Sequence, residues 1–226
     1  MNASLRIRLQ TTSEQHRKLL ELQCMFAAVC NALAPLVQRT ACWNRVALHH
    51  LAYRPMREQF PALGSQMICN ALYSVSRTSR LVYQHPDSPF NLQKLAGRPL
   101  PCLKFLPNSP VYFDRHTLSL KEGRASMYTL DGRMRFNLPL AEEDELRFRT
   151  AKLREIVLLA EGNEFMLSFT FGEVVESESA PVGVAGQSSM NGTSRPAGEE
   201  LPEYILILSD PPMTPPNSPT LHAKTA

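Results

Sequence analysis

Six side chains between residues 66 and 84 recur at steps of four, three, four, three and four: Gln66, Asn70, Tyr73, Arg77, Arg80 and Gln84. On an α-helix that spacing puts them on one face. Amide, phenol and guanidinium groups are those that read base edges, stack on bases and pair with phosphates. The chemistry on offer is binding rather than catalysis, and the competing reading is an ordinary solvated helix face.

Residue types elsewhere point away from a reaction centre. Adjacent helix residues diverge by roughly 100°, so His49 and His50 are poorly placed to chelate one ion, and no HExxH spacing accompanies them. Five scattered cysteines (Cys24, Cys30, Cys42, Cys69 and Cys102) include no CxxC pair, which argues against a disulfide framework and a zinc ribbon. Cys24, Cys30 and Cys69 read as buried free thiols. The acidic run Glu142–Glu145 reads as a solvated loop or short helix. The sequence calls for no cofactor and no metal.

The elements that must position the polar face follow from periodicity. Leu5-Arg6-Ile7-Arg8-Leu9 alternates and predicts a strand. Thr12 and Gln15 fit a capping box. The helix behind them carries Leu19, Leu22, Phe26, Val29, Leu33 and Leu36 as one apolar stripe. Pro35 predicts a kink or an end near Ala34. A second helix is expected over 44–53, broken by Arg54-Pro55, and a third, capped by Ser65, over about 65–83. Residues 85–100 read as a Pro-rich connector.

The second half is written in strands: 103–106, 111–113, 117–121, 124–130, 133–138, 153–159 and 165–171. Asp131-Gly132 carries the two-residue hairpin signal, and Lys121-Glu122-Gly123 marks another tight turn. Between them, Met127 and Thr129 fall on one face and Ser126, Tyr128 and Leu130 on the other. With the N-terminal strand there are enough strands for a small barrel. From Gly172 onward the composition turns to Ser, Pro and Gly and predicts disorder. Only 204–208 could add a short strand, which if unpaired would be a sticky edge rather than a functional element.

Charge follows the same division. Residues 1–100 hold 12 Lys and Arg against 4 Asp and Glu, residues 101–171 hold 10 against 10, and residues 172–226 hold 2 against 7. A basic first half suits a polyanionic partner. The N-terminus lacks an apolar signal region, and no apolar run reaches the roughly 18 residues that span a bilayer. The expectation is a cytoplasmic protein without a membrane partner.

Several segments, in order over 5–171, resemble the TnpB proteins of bacterial insertion sequences, RNA-guided DNA nucleases related to type V CRISPR effectors. They are Leu5–Leu9 with Thr12 and Glu14-Gln15; Asn44-Arg45; Leu48–Tyr53; Met56–Phe60; Gly64–Met67; Val111–Asp114; Leu118–Leu120; and Tyr128–Arg135. The resemblance implies an α+β fold: a wedge-type β-barrel formed by 1–10 and 101–172, a helical recognition domain inserted at 11–100, and a tail at 173–226. It implies partners in guide RNA and target DNA. It also makes Gln66, Met67 and Asn70 candidate readers of a short motif, with Asn44 and Arg45 beside them. Tyr73, Arg77 and Arg80 join that candidate surface from the helical pattern.

The chain departs from the family where a RuvC-like nuclease domain should begin. Ala185, in Gly183-Val184-Ala185-Gly186, stands where the family carries a catalytic Asp. Two-metal cleavage needs several carboxylates on one rigid scaffold, so no nuclease activity is expected. Three readings follow: a truncated TnpB-like nucleic-acid binder, an interaction protein or relic that has lost that binding, and half of a split nuclease completed by a separate chain. The sequence sets no oligomeric state.

Overall fold

The computed structural model describes residues 3–172 and 201–208. The expectation of disorder at 173–200 and 209–226, and the Gly183–Gly186 match, lie outside the described residues. In chain order the elements are β1 (Ala3–Arg8), α1 (Ser13–Thr40), α2 (Arg45–Gln59), α3 (Ser65–Tyr83) and the single turn α4 (Leu92–Leu95). They continue with β2 (Cys102–Phe105), β3 (Val111–Phe113), β4 (Leu118–Lys121), β5 (Arg124–Thr129), β6 (Gly132–Asn137), α5 (Glu142–Thr150), β7 (Lys152–Glu161), β8 (Glu164–Gly172) and β9 (Ile205–Leu208). The class is α+β.

α1 begins with the expected capping box: Gln15 N donates to Thr12 Oγ1 at 3.2 Å and Thr12 N donates to Gln15 Oε1 at 3.0 Å. Two orphan donors are thereby satisfied. Its stripe is buried from Leu19 to Leu33. Pro35 does not end the helix, nor does Pro55 end α2, which runs to Gln59. Burial on both sides of each proline outweighs the missing N–H bond. α1 is also long and apolar enough to cross a bilayer by length and composition, and half of that stretch is buried here. Cys24, expected inside, is exposed; Cys30 is buried and Cys69 partly so.

α3 starts one residue away from the expected cap. Gly64 is the N-cap and offers no side chain. Instead Gly64 N donates to the Tyr128 hydroxyl at 2.8 Å, so a residue of β5 holds the helix entry.

The strands do not close into a barrel. They form three antiparallel sheets, ordered β1-β8-β7-β3, β2-β9 and β4-β5-β6. The outer edges of the sheets do not pair with one another. β6 is met by α1, where Gln15 Nε2 donates to Arg135 O at 3.4 Å. Along β1 an open groove of about 1110 Å³ separates the strand from Pro139 and Asp144. The meander alternates as predicted, with Ala125, Met127 and Thr129 buried. Its type I′ geometry sits at Glu122 (φ 50°) and Gly123 (φ 66°), not at Asp131-Gly132. There β5 pairs Thr129 with Gly132, which makes Leu130 and Asp131 the loop residues.

The short strand expected at 204–208 forms, and it is paired. β9 runs antiparallel to β2, from Cys102↔Leu208 to Phe105↔Ile205. Helices and sheets share one apolar cluster that includes Phe26, Leu72, Phe105, Leu158, Phe169 and Ile205.

Candidate nucleic-acid interface

The six-residue face of α3 divides when its neighbours are present. Its first half lies against the β region. Gln66 Nε2 donates to Asp114 Oδ2, and Asn70 Nδ2 donates to Thr117 Oγ1 at 3.3 Å. Asn70 is 5% exposed and Met67 is fully buried, so neither side chain is offered to solvent. For Asn70 the helical spacing is right, but the face it describes is an internal junction, whereas Met67, a candidate from the family resemblance alone, lies in the core. Arg80 and Gln84, farther along, are exposed.

Tyr73 and Arg77 meet on a carboxylate. Tyr73 Oη donates to Glu155 Oε1 at 2.8 Å, and Arg77 Nε stands 3.5 Å from the same oxygen. Arg77 Nε is buried and makes no hydrogen bond, because that approach lies off the bonding line. Burial and then the Glu155 charge push the Tyr73 hydroxyl up to about 12. Tyr112, edge-on to Tyr73 at 5.3 Å, is also held well above the usual phenol range, chiefly by burial. Burial alone would weaken the Arg77 cation, but Tyr112, Glu155 and Tyr73 around it hold its pKa above the usual arginine range.

The start of α2 joins this junction from outside. Asn44 Oδ1 accepts from Val46 N and Ala47 N at 3.0 and 3.1 Å, so its side chain is used as an N-cap. Arg45 is exposed and its guanidinium lies 5.3 Å from the Tyr73 ring centroid. His49 stacks on Tyr53 at 4.7 Å, while the His49 and His50 rings sit edge to face. Among the described residues, no three His, Cys, Asp or Glu side chains group to hold a metal.

The meander adds a surface that the helical pattern did not reveal. Its outward face carries Lys121, Arg124, Ser126, Tyr128, Arg133 and Arg135, set by the pairings Lys121↔Arg124, Ser126↔Arg135 and Tyr128↔Arg133. The legible signal was Arg133-Met134-Arg135-Phe136, whose alternation puts both arginines on one side. Arg133 is fastened down: it donates to Ser126 O at 2.7 Å and to His116 O at 3.1 Å. Glu122 lies 3.7 Å from both Lys121 and Arg124. Arg115 and Arg135 form no ion pair among the described residues.

These pieces are continuous. Tyr128 touches the N-cap of α3, Gln66 bonds the Asp114 turn, and Arg133 bonds the same turn through His116. Asp114 is the carboxylate within it, and its Oδ1 already accepts from His116 N and Thr117 N, each at 3.0 Å. The surface from Arg45 through Gln66 and Arg115 to Arg135 is therefore cationic, with amide and aromatic groups interleaved. The groove along β1 is different, since Arg6 and Arg8 there are paired with Glu161 and Glu164.

No family model matches the chain, and no curated protein does.

Proposed function

We propose that the chain is a nuclease-deficient, TnpB-like protein that binds structured RNA, or duplex DNA, through the surface running from Arg45 over the start of α3 to the outer face of the meander. One observation carries this reading. Among the described residues Arg115 and Arg135 form no ion pair with a carboxylate, and they sit on the elements that Gln66 contacts and that carry Tyr128, locked together by side-chain hydrogen bonds. Guanidinium groups of that kind on a rigid sheet suit a phosphate backbone, with Gln66 and Tyr128 at hand for bases. In this reading Met67, Asn70, Tyr73 and Arg77 act as the frame, while Arg45, Arg115, Arg135 and Arg80 make contact. The wedge-type barrel of the TnpB family would correspond to the sheets β1-β8-β7-β3 and β4-β5-β6, left open here. A guide RNA is the partner this family likeness favours.

The experiment is purification of the full chain from its own cells, a high-salt wash and sequencing of any RNA retained. One structured RNA recovered reproducibly supports the reading. Binding should weaken steeply with salt, as phosphate contacts release counterions. A preparation free of nucleic acid, with no binding to structured RNA or duplex DNA at low salt, overturns it. The consumption of half of the α3 face inside the protein favours the second reading in that event: an interaction protein or relic that binds no nucleic acid.

A further inference from the structure

Both edges of a strand carry backbone groups that need partners, and β2 meets that need in two different ways. On one side α1 stands in for a strand. Asn31 Nδ2 donates to Phe105 O at 2.9 Å and Phe105 N donates to Asn31 Oδ1 at 2.7 Å, so one side-chain amide imitates a neighbouring peptide unit. Gln23 and Gln38, also on α1, donate to Ser109 O at 3.0 Å and Leu100 O at 2.9 Å. Tyr83 Oη donates to Pro101 O at 2.6 Å. None of these bonds involves β9, so the floor under β2 is built without it.

The other edge carries β9. Leu106 N donates to Tyr204 O at 2.9 Å, and Ser109 Oγ donates to the same oxygen at 3.1 Å. The Tyr204 hydroxyl reaches Thr78 Oγ1 of α3 at 3.4 Å. Ile205 is 7% exposed, whereas Leu206 and Leu208 are 48% and 44% exposed. No ion pair fixes Leu201–Leu208 among the described residues. What holds the segment is main-chain pairing on an edge plus apolar packing of Leu201, Tyr204, Ile205 and Ile207, the combination by which edge strands bind extended peptides.

We infer that the open edge of β2, walled by α1 and α3, is a preformed strand-acceptor groove and that Leu201–Leu208 is its tethered, exchangeable occupant. The ligand class is an extended peptide with an aromatic residue followed directly by a β-branched aliphatic one, as in Tyr204-Ile205. Residues 173–200 join β8 covalently to the docked segment. Covalent linkage sets an effective concentration on the order of millimolar. The chain's own strand therefore excludes dilute competitors, and a free peptide enters only when that strand is weakened.

Amide hydrogen exchange on the full wild-type chain tests exchangeability. The amides of Leu106, Leu206 and Leu208 should exchange together, at least about tenfold faster than those of Leu158 and Leu167 in the β7–β8 core, because the pair opens without global unfolding. Exchange of all of them at one common rate makes β9 an ordinary structural strand and overturns the inference. A second experiment tests the groove. The full chain carrying Tyr204→Ala and Ile205→Asp is mixed with a fluorescent peptide of the sequence LPEYILIL. Saturable binding to that variant, at least about tenfold tighter than to wild type and lost when the peptide carries the same two replacements, supports the proposal. A folded variant that takes up no peptide, or equal uptake by wild type and variant, overturns it. If circular dichroism shows the variant unfolded, the exchange experiment decides. Neither experiment involves nucleic acid, so both are independent of the proposed RNA or DNA binding.

Discussion

Tyr73 Oη donates to Glu155 Oε1 at 2.8 Å, and this bond joins α3 to β7 across the junction of helices and sheet. The same carboxylate oxygen faces Arg77 Nε at 3.5 Å, so one acceptor serves a phenol and a guanidinium. Removing the hydroxyl leaves a half-satisfied carboxylate in a partly buried place. Tyr73→Phe should lower stability by about 1.5 kcal/mol, the range of a hydrogen bond to a charged group. Urea denaturation of Tyr73→Phe, Glu155→Gln and the double variant checks this. The two effects should be markedly non-additive, since Tyr73→Phe deletes the bond and Glu155→Gln removes the charge that strengthens it. Additive effects would mean that the two residues act independently.

The junction also sets a response to alkali. Tyr73 is pushed up to about 12 by burial and Glu155, and Cys30 is pushed up to about 12 by burial. Tyr112 and Tyr204 are raised as well, chiefly by burial. Each is neutral when protonated and holds its proton longer in the native state than in the unfolded one. The unfolded chain therefore binds fewer protons once pH passes the ordinary thiol and phenol values of about 8.5 and 10. Stability should be flat below about pH 8.5 and fall progressively up to about pH 12. Tyr73→Phe should make the fall between about pH 10 and 12 shallower, as read from thermal midpoints across that range. An unchanged slope would show that Tyr73 ionises as freely in the native protein as in the unfolded chain.

How much of this was open to reading depends on whether the signal is local. The α1 capping box was legible because Thr12 and Gln15 satisfy one another within a single turn. The burial of Ala125, Met127 and Thr129 was legible because a strand repeats every two residues. Asn70 is on the expected helical face and yet buried, since helical spacing identifies a face but not what covers it. Its cover comes from the turn at Asp114–Thr117, far away in sequence. β9 is legible as a strand, but its partner is not, for the same reason: four residues carry no sign that β2 has an open edge. Barrel closure failed as an expectation because strand counting does not say which edges pair.

Gly64 was read as the residue before a cap, yet its lack of a side chain is what Tyr128 requires. A Cβ there would meet the Tyr128 ring at 3.2 Å. Gly64→Ala should push the ring off the α3 entry, break the 2.8 Å bond from Gly64 N, and cost about 1 kcal/mol. The backbone itself is unstrained, with φ at −59°. In a Tyr128→Ala background the same change should cost nothing or stabilise slightly, because the clash is gone. Thermal denaturation of the two singles and the double separates steric from backbone causes. An equal cost in both backgrounds would rule out the Tyr128 contact.

Asn31 offers a sharper test of side-chain mimicry, because it makes a donor and an acceptor bond to the same residue, Phe105. Asn31→Ala leaves both groups of a part-buried peptide unit unpaired and should cost about 2–3 kcal/mol. Asn31→Asp, nearly the same shape, should cost more than Asn31→Ala: it keeps the bond from Phe105 N but turns a carboxylate oxygen toward Phe105 O. Denaturant midpoints at neutral pH give the order. At acid pH the introduced carboxyl group is protonated and donates again, so the gap between the two variants should narrow. If Asn31→Asp is tolerated better than Asn31→Ala at neutral pH, the amide is not bridging β2.

The proposed interface makes opposite predictions for residues that look alike in sequence. Arg135 and Arg133 share one face of β6, but Arg133 is spent on Ser126 O and His116 O while Arg135 forms no ion pair among the described residues. Arg135→Ala should weaken RNA binding several-fold, leave the thermal midpoint unchanged, and reduce the slope of log affinity against log salt by about one for each lost phosphate contact. Arg115→Ala should do the same. Arg133→Ala should lower the thermal midpoint by several degrees, since it unfastens the meander from the Asp114–Thr117 turn. Filter binding at several salt concentrations, paired with thermal melts, reads both quantities from the same preparations. Loss of affinity confined to Arg133→Ala would mean that the meander matters only as a support and that phosphate is held elsewhere, with Arg80 and Arg45 the next guanidinium groups to remove.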